Sequence, residues 1–288
     1  MRWSPGGRSE NLEDRRGATG GGGGRGFGGG GGRVGLGGLV VLVVLSIVFK
    51  RDLVSDAIGI GGGAPSAVSG EQAPPAVSSA QEDSLVLFMS AVLDSAQARW
   101  QQLLPDYQPA KLVLFRDVVN SACGEAGSAT GPFYCPGDQK VYLDLSFFDQ
   151  LDRQFGAPGD FAQAYVLAHE IGHHVQNLVG TERKMRATQR DNPQMQNRLS
   201  VAMELQADCY AGVWANSAAK NQQLEPGDLD EGLSAASAVG DDRLQKMSTG
   251  RVNRDSFTHG SSADRRTWFK RGFDSGDPNR CDTFAEMR

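Results

Sequence analysis

Residues 161–180 read FAQAYVLAHEIGHHVQNLVG, and the fold is decided by how this stretch is read. Asp160 precedes it as the expected N-cap, Gln163 stands where a capping box closes, and Gly180 ends the run. The expected element is one long helix. Within it, His169 and His173 are four residues apart, so both imidazoles leave the same helical face at a spacing that grips a single ion. Glu170 lies beside them, placed to take a proton from water held on that ion. With four His and eleven Glu, random order would give this pattern roughly 0.002 times per chain, so two unrelated histidines are a poor account of it.

Two imidazoles do not complete a zinc site. A catalytic one needs a third protein ligand and an open position for water. Further along, ELQAD places Glu204 and Asp208 at i and i+4. Glu204 is the candidate third ligand, and Asp208 the group that fixes the tautomer of a ligand histidine. A pair of exposed helix acids is the alternative, but VAM, L and YAGVW around them mark a buried helix, where unpaired carboxylates are costly. His174 is turned about 100° from His173 and falls off the metal face, so it is expected to support a ligand from behind or to serve the packing. His259 lies in DSFTHGSSADRR, and amide hydrolysis needs a donor for the developing oxyanion. His259 is the candidate for that role, with Arg265 assisting or bracing the loop.

Around this centre, residues 83–104 carry apolar side chains at the 3-4 spacing of an amphipathic helix stopped by Pro105. KLVLF (111–115) reads as a strand, and 131–144 as a hairpin turning at Pro136-Gly137-Asp138. Helices are expected again from about Pro193 to Ala219 and from Leu229 to Met247. This order predicts an α+β domain over residues 83–288.

The residues before it are of another kind. Of 38 glycines, 21 lie within residues 1–63. Residues 1–33 are expected to be a disordered Gly/Arg-rich cytoplasmic segment. Residues 34–49 (VGLGGLVVLVVLSIVF) form an uncharged run closed by Arg33 and by Lys50-Arg51, expected to be a transmembrane anchor rather than a cleaved signal. At ~1.5 Å per residue it is roughly 24 Å long, short of a ~30 Å hydrocarbon core unless the flanking basic side chains reach outward. Residues 50–82 read as a flexible linker. Six arginines precede the run and two basic residues follow it, which predicts a cytoplasmic N-terminus and an exported domain at the cytoplasmic membrane.

Export permits disulfides. Cys123 and Cys135 flank a turn-rich segment and form the expected bridge. That leaves Cys209 and Cys281, whose pairing stays open, as does the possibility of free buried thiols. A net charge of −5 excludes nucleic acid as the expected partner.

HEIGHH, ELQADCYAG, FTHGSSADRRTWFKRGF and the SACG…GPFYCPGDQKVYLDLSFF block together resemble the neutral zinc metallopeptidases, membrane-anchored bacterial proteins. The resemblance spans residues 83–288. It implies a zincin-like fold with a small sheet packed over the HExxH helix, and one zinc ion (Zn2+) held by His169, His173 and Glu204. It also implies Glu170 as general base, a downstream histidine matched by His259, and a peptide or protein substrate received along a sheet edge. The hairpin edge around Val141–Leu143 is the expected partner for that substrate. The chain departs from the family's last motif at Asp264, whose role the sequence leaves open. The competing reading is a membrane-tethered binding or assembly protein whose zinc is structural and closed by a fourth ligand such as His174. An exopeptidase is a third, weaker reading, since no motif for holding a substrate α-amine is evident.

Overall fold

The computed structural model describes residues 1–4, 6–17 and 79–285. The expected anchor at 34–49 and nearly all of the glycine tether and linker lie outside them. Among the described residues no helix is long and apolar enough to cross a membrane.

In chain order the elements are β1 (Leu12–Asp14), α1 (Ala80–Leu103), β2 (Lys111–Phe115), β3 (Val118–Ser121), β4 (Gly124–Gly127), β5 (Phe133–Cys135) and β6 (Lys140–Asp144). Then come α2 (Ser146–Arg153), α3 (Asp160–Leu178), α4 (Thr181–Asp191), α5 (Gln196–Lys220), α6 (Asp228–Ala238), α7 (Asp241–Thr249) and α8 (Ser262–Ser275). The architecture is mixed α+β, mostly helical with a small sheet.

Helix α1 starts three residues earlier than its apolar spacing indicates, because Ser79 and Glu82 close a reciprocal capping box. Its buried face (Val86, Met89, Val92, Leu93, Ala96, Trp100) packs on α3 and α5. The sheet runs β1-β2-β6-β5, with β1, β2 and β6 parallel and β5 antiparallel to β6. The expected hairpin is thus present, yet Val141–Leu143 is no edge. Strand β6 is paired on both sides, which leaves it no free backbone groups for a substrate. The open edge at that end of the sheet is β5.

Helix α3 sits at the centre, touching α1, α5, α6, β5 and β6. Its start differs from the expectation. Gly159, at φ 112°, is the N-cap and Asp160 the first helical residue, with no side-chain cap. Instead the Glu231 carboxylate of α6 accepts the Phe161 N–H at 3.1 Å, taking over the capping role from a neighbouring helix. The expected helix at Leu229–Met247 is two, α6 and α7, broken at Gly240, where a Cβ would meet the Ser262 backbone.

Helices α5 and α8 approach backbone to backbone. A Cβ on Gly212 would collide with the Phe269 carbonyl, and one on Gly272 with the Cys209 carbonyl. Phe161 stacks on Trp214 and Tyr165 meets Phe269 edge-on, so the core joins α3, α5 and α8. Both disulfides are formed, Cys123–Cys135 and Cys209–Cys281. The second ties the end of the described chain to the middle of α5.

Residues 1–4 and 6–17, which the sequence places within a disordered segment over 1–33, pack against the domain. Strand β1 extends the sheet beside β2, in register Leu12↔Leu112. Trp3 packs on Phe88 with ring centroids 5.5 Å apart, and Arg16, nearly buried, pairs with Asp14 and Asp83. These described residues carry apolar and charged side chains with partners to meet.

Candidate metal centre

His169 and His173 leave α3 one turn apart, their rings perpendicular with centroids 4.8 Å apart. Glu204 comes from α5, which packs against α3 at Gly172. A Cβ there would lie 2.9 Å from the Ala207 carbonyl oxygen, so only glycine lets the two helices close to this distance. The Glu204 carboxylate meets both rings, Oε2 at 3.3 Å from His169 Nε2 and Oε1 at 3.5 Å from His173 Nε2. The three ligand atoms lie within 4.8 Å of one another.

The opposite nitrogens are held. His169 Nδ1 is 2.9 Å from the Asp208 carboxylate, and His173 Nδ1 is 2.8 Å from Gln176 Oε1. Both acceptors hold a proton on Nδ1, so that in the neutral ring the Nε2 lone pair faces the shared centre. Gln176 is itself fixed, its amide nitrogen donating to Met203 O at 2.7 Å and to Gln206 Oε1 at 3.1 Å. Gln206 in turn donates to the Cys281 carbonyl.

Asp208 is fully buried and carries several interactions. It accepts from Tyr165 Oη at 2.5 Å, and from Arg265 Nε at 2.7 Å and Nη2 at 2.9 Å. Arg265 therefore braces the acid behind His169, and does not brace the His259 loop. Asp264 belongs to the cap of α8: its N–H donates to Ser261 Oγ, and Ser261 Oγ donates back to its carboxylate. This gives Asp264 a structural role.

Burial lifts Glu170 above the ordinary carboxylate range. Burial also opposes ionisation of Glu204, but His173 and His169 beside it hold that carboxyl well below the usual value. Two acids on facing helices are thereby pushed apart, one toward binding protons and one toward remaining an anion. His169, against the pull of desolvation, is raised to about 9 by Asp208 and Glu204.

His259 lies close enough to Glu204 for each charge to act on the other. Its Nδ1 is 3.2 Å from Asp241 Oδ1, and Asp241 Oδ2 accepts the backbone N–H groups of Thr258, His259 and Gly260. His174 is elsewhere. Its Nε2–H donates to the Gln108 carbonyl at 2.6 Å, its Nδ1 accepts from Tyr134 Oη at 3.0 Å, and burial lowers its basicity, so it is neutral. It pins strand β5 to α3.

Sequence reasoning did not reach Asp241, Gln176 and Tyr165. Only Tyr165 left a signal, one helical turn before His169 on the same face. Asp241 and Gln176 acquire their roles through packing between distant segments.

Two imidazoles, one carboxylate and a buried acid next to them are the donor set of a catalytic zinc site, and the oriented Nε2 atoms fit such an ion. The chain belongs to the family described as "Putative neutral zinc metallopeptidase", which it matches over residues 1–284. Relatives include the uncharacterized protein YpfJ of Escherichia coli (strain K12), 48% identical over 291 residues and 99% of each chain. Another is the uncharacterized protein Rv2575 of Mycobacterium tuberculosis (strain H37Rv), 49% identical over 203 residues, 67% of this chain and 68% of the relative. No solved structure matches the chain.

Proposed function

We propose that the protein is a zinc-dependent endopeptidase acting outside the cytoplasm. His169, His173 and Glu204 would hold the ion, whose Lewis acidity makes water acidic enough to attack an amide near neutral pH. Glu170 takes the proton that water loses and passes it to the leaving amine, a role that suits a carboxyl whose proton affinity burial has raised. His259, held by Asp241, donates to the carbonyl oxygen as it gains charge. Asp208, Arg265, Tyr165 and Gln176 keep the two imidazoles aimed.

The edge strand β5 is the favoured platform for an extended substrate, because main-chain pairing accepts any sequence. Disulfides on both sides of the fold support an oxidising compartment, and the apolar run at 34–49 supports attachment to the cytoplasmic membrane.

One observation carries the reading: both Nε2 atoms converge on Glu204 with Glu170 buried beside them. The structural-zinc alternative needs a fourth ligand, and its candidate, His174, has both ring nitrogens engaged elsewhere. The test is digestion of a mixed peptide library by the purified full chain, with and without chelator, beside Glu170→Gln. New internal termini that vanish with chelator and with Glu170→Gln, while that variant keeps its zinc, are expected. Cleavage by the zinc-loaded Glu170→Gln protein would remove Glu170 from its role.

A further inference from the structure

We infer that residues 1–4 and 6–17 are a built-in part of the folded domain and share its compartment, so that the run at 34–49 does not carry the chain across the membrane once between them. A single crossing would leave β1 on one face of the bilayer and β2 on the other. The structure pairs these strands along Leu12–Asp14.

The contacts beyond the strand are specific. The Met1 amine sits 2.8 Å from the Asp160 carboxylate and within 3.3 Å of Glu225 and Asp228, and the Met1 side chain is buried in the main core. The Arg2 N–H donates to the Gln223 carbonyl, Ser9 Oγ to Asp94 at 2.5 Å, and Lys140 Nζ reaches Glu13 at 2.8 Å. These partners come from α1, α3, α6, β6 and the loop after α5. A loosely held tail would not meet five separate parts of the domain.

The basic side chains of this segment are also engaged within the domain. Arg2 is paired with Glu225, Arg8 with Asp14, Arg15 with Glu13, and Arg16 with Asp14, Glu82 and Asp83. The run itself is also short for a full crossing, at ~1.5 Å rise per residue.

The test uses the full chain in spheroplasts, with single added cysteines at Gly6 and, separately, at Val118. Gly6 is exposed with nothing within 4 Å of a Cβ, and Val118 is 57% exposed, so Gly6→Cys and Val118→Cys are reachable in the docked state. A membrane-impermeant maleimide is expected to label both before permeabilisation. Labelling of both only afterwards would still uphold the shared compartment and would overturn the proposed location outside the cytoplasm. Labelling of one before and the other only after would overturn the inference. In parallel, carbodiimide treatment of the same membranes is expected to join Glu13 to Lys140 through an amide, found as a cross-linked peptide pair and lost in Glu13→Gln. Absence of that pair in the unmutated chain means the segment is not docked, and the inference fails.

Discussion

Arg265 donates two hydrogen bonds to Asp208, and Asp208 in turn accepts from His169, so a guanidinium on α8, itself 3.9 Å from the Glu204 carboxylate, sets the direction of an imidazole on α3. The charge of Asp208 is neutralised from behind. It can therefore stay ionised in a fully buried place, where its pKa lies below the usual value despite desolvation. Asp208→Asn should weaken zinc binding about 10–100-fold by loosening the His169 tautomer and ring angle. Arg265→Met should do the same and also destabilise the fold by about 3–5 kcal/mol, because it strands a buried carboxylate. Competition with a chromophoric chelator reads the first effect and urea unfolding the second; unchanged zinc affinity in both variants would sever the proposed link.

Zinc uptake should depend on pH through His169. In the metal-free protein that ring is protonated up to about pH 9, since Asp208 and Glu204 outweigh the desolvation that lowers it. Its folded value exceeds the unfolded one, so its contribution to metal-free stability is complete below about 6.5 and is lost as pH rises through about 9. The ion must displace this proton. Zinc affinity should therefore rise by up to about tenfold per pH unit between pH 7 and 9, with proton release visible by calorimetry in buffers of different ionisation enthalpy. An affinity that stays flat across this interval would show that no proton is exchanged at the ring.

His259→Ala should lower kcat by about 10²–10³-fold with little change in KM, as expected for a donor whose bond strengthens only when the oxyanion forms. Asp241→Asn should move kcat the same way by less, because Asp241 also organises the backbone of Thr258, His259 and Gly260. A KM effect with kcat preserved would make His259 a substrate-binding group.

Gly272→Ala should cost about 3 kcal/mol, since the added methyl meets the backbone of α5 at Cys209 and no side chain can yield. The midpoint of urea denaturation should fall with unchanged m. A change below about 0.5 kcal/mol would mean that α5 and α8 separate easily, and that the Asp208–Arg265 contact between them is looser than the structure places it.

Much of the candidate site is legible in the sequence because helices translate spacing into direction. His169 with His173, and Glu204 with Asp208, each lie one turn apart, and a reader who knows the period knows which side chains share a face. Gln176 and Asp241 are not legible, because what they do depends on α3 meeting α5 and on the start of α7 meeting the loop that carries His259. Strand β6 was readable as a strand but not as an interior one, since its second partner, β2, comes from a separate stretch of chain. The greatest departure is residues 1–17. Three strand residues followed by a run of glycines have no periodicity to read, and their partner β2 begins about a hundred residues later.

The most direct test of the account is zinc-edge X-ray absorption on the purified, zinc-replete protein, beside Glu204→Gln. The expected result is one zinc per chain in a shell of two imidazoles, one carboxylate oxygen and one further oxygen that azide or a hydroxamate displaces, with Glu204→Gln changing that shell. A site without zinc, or a closed shell with a third imidazole that added ligands cannot enter, would contradict it.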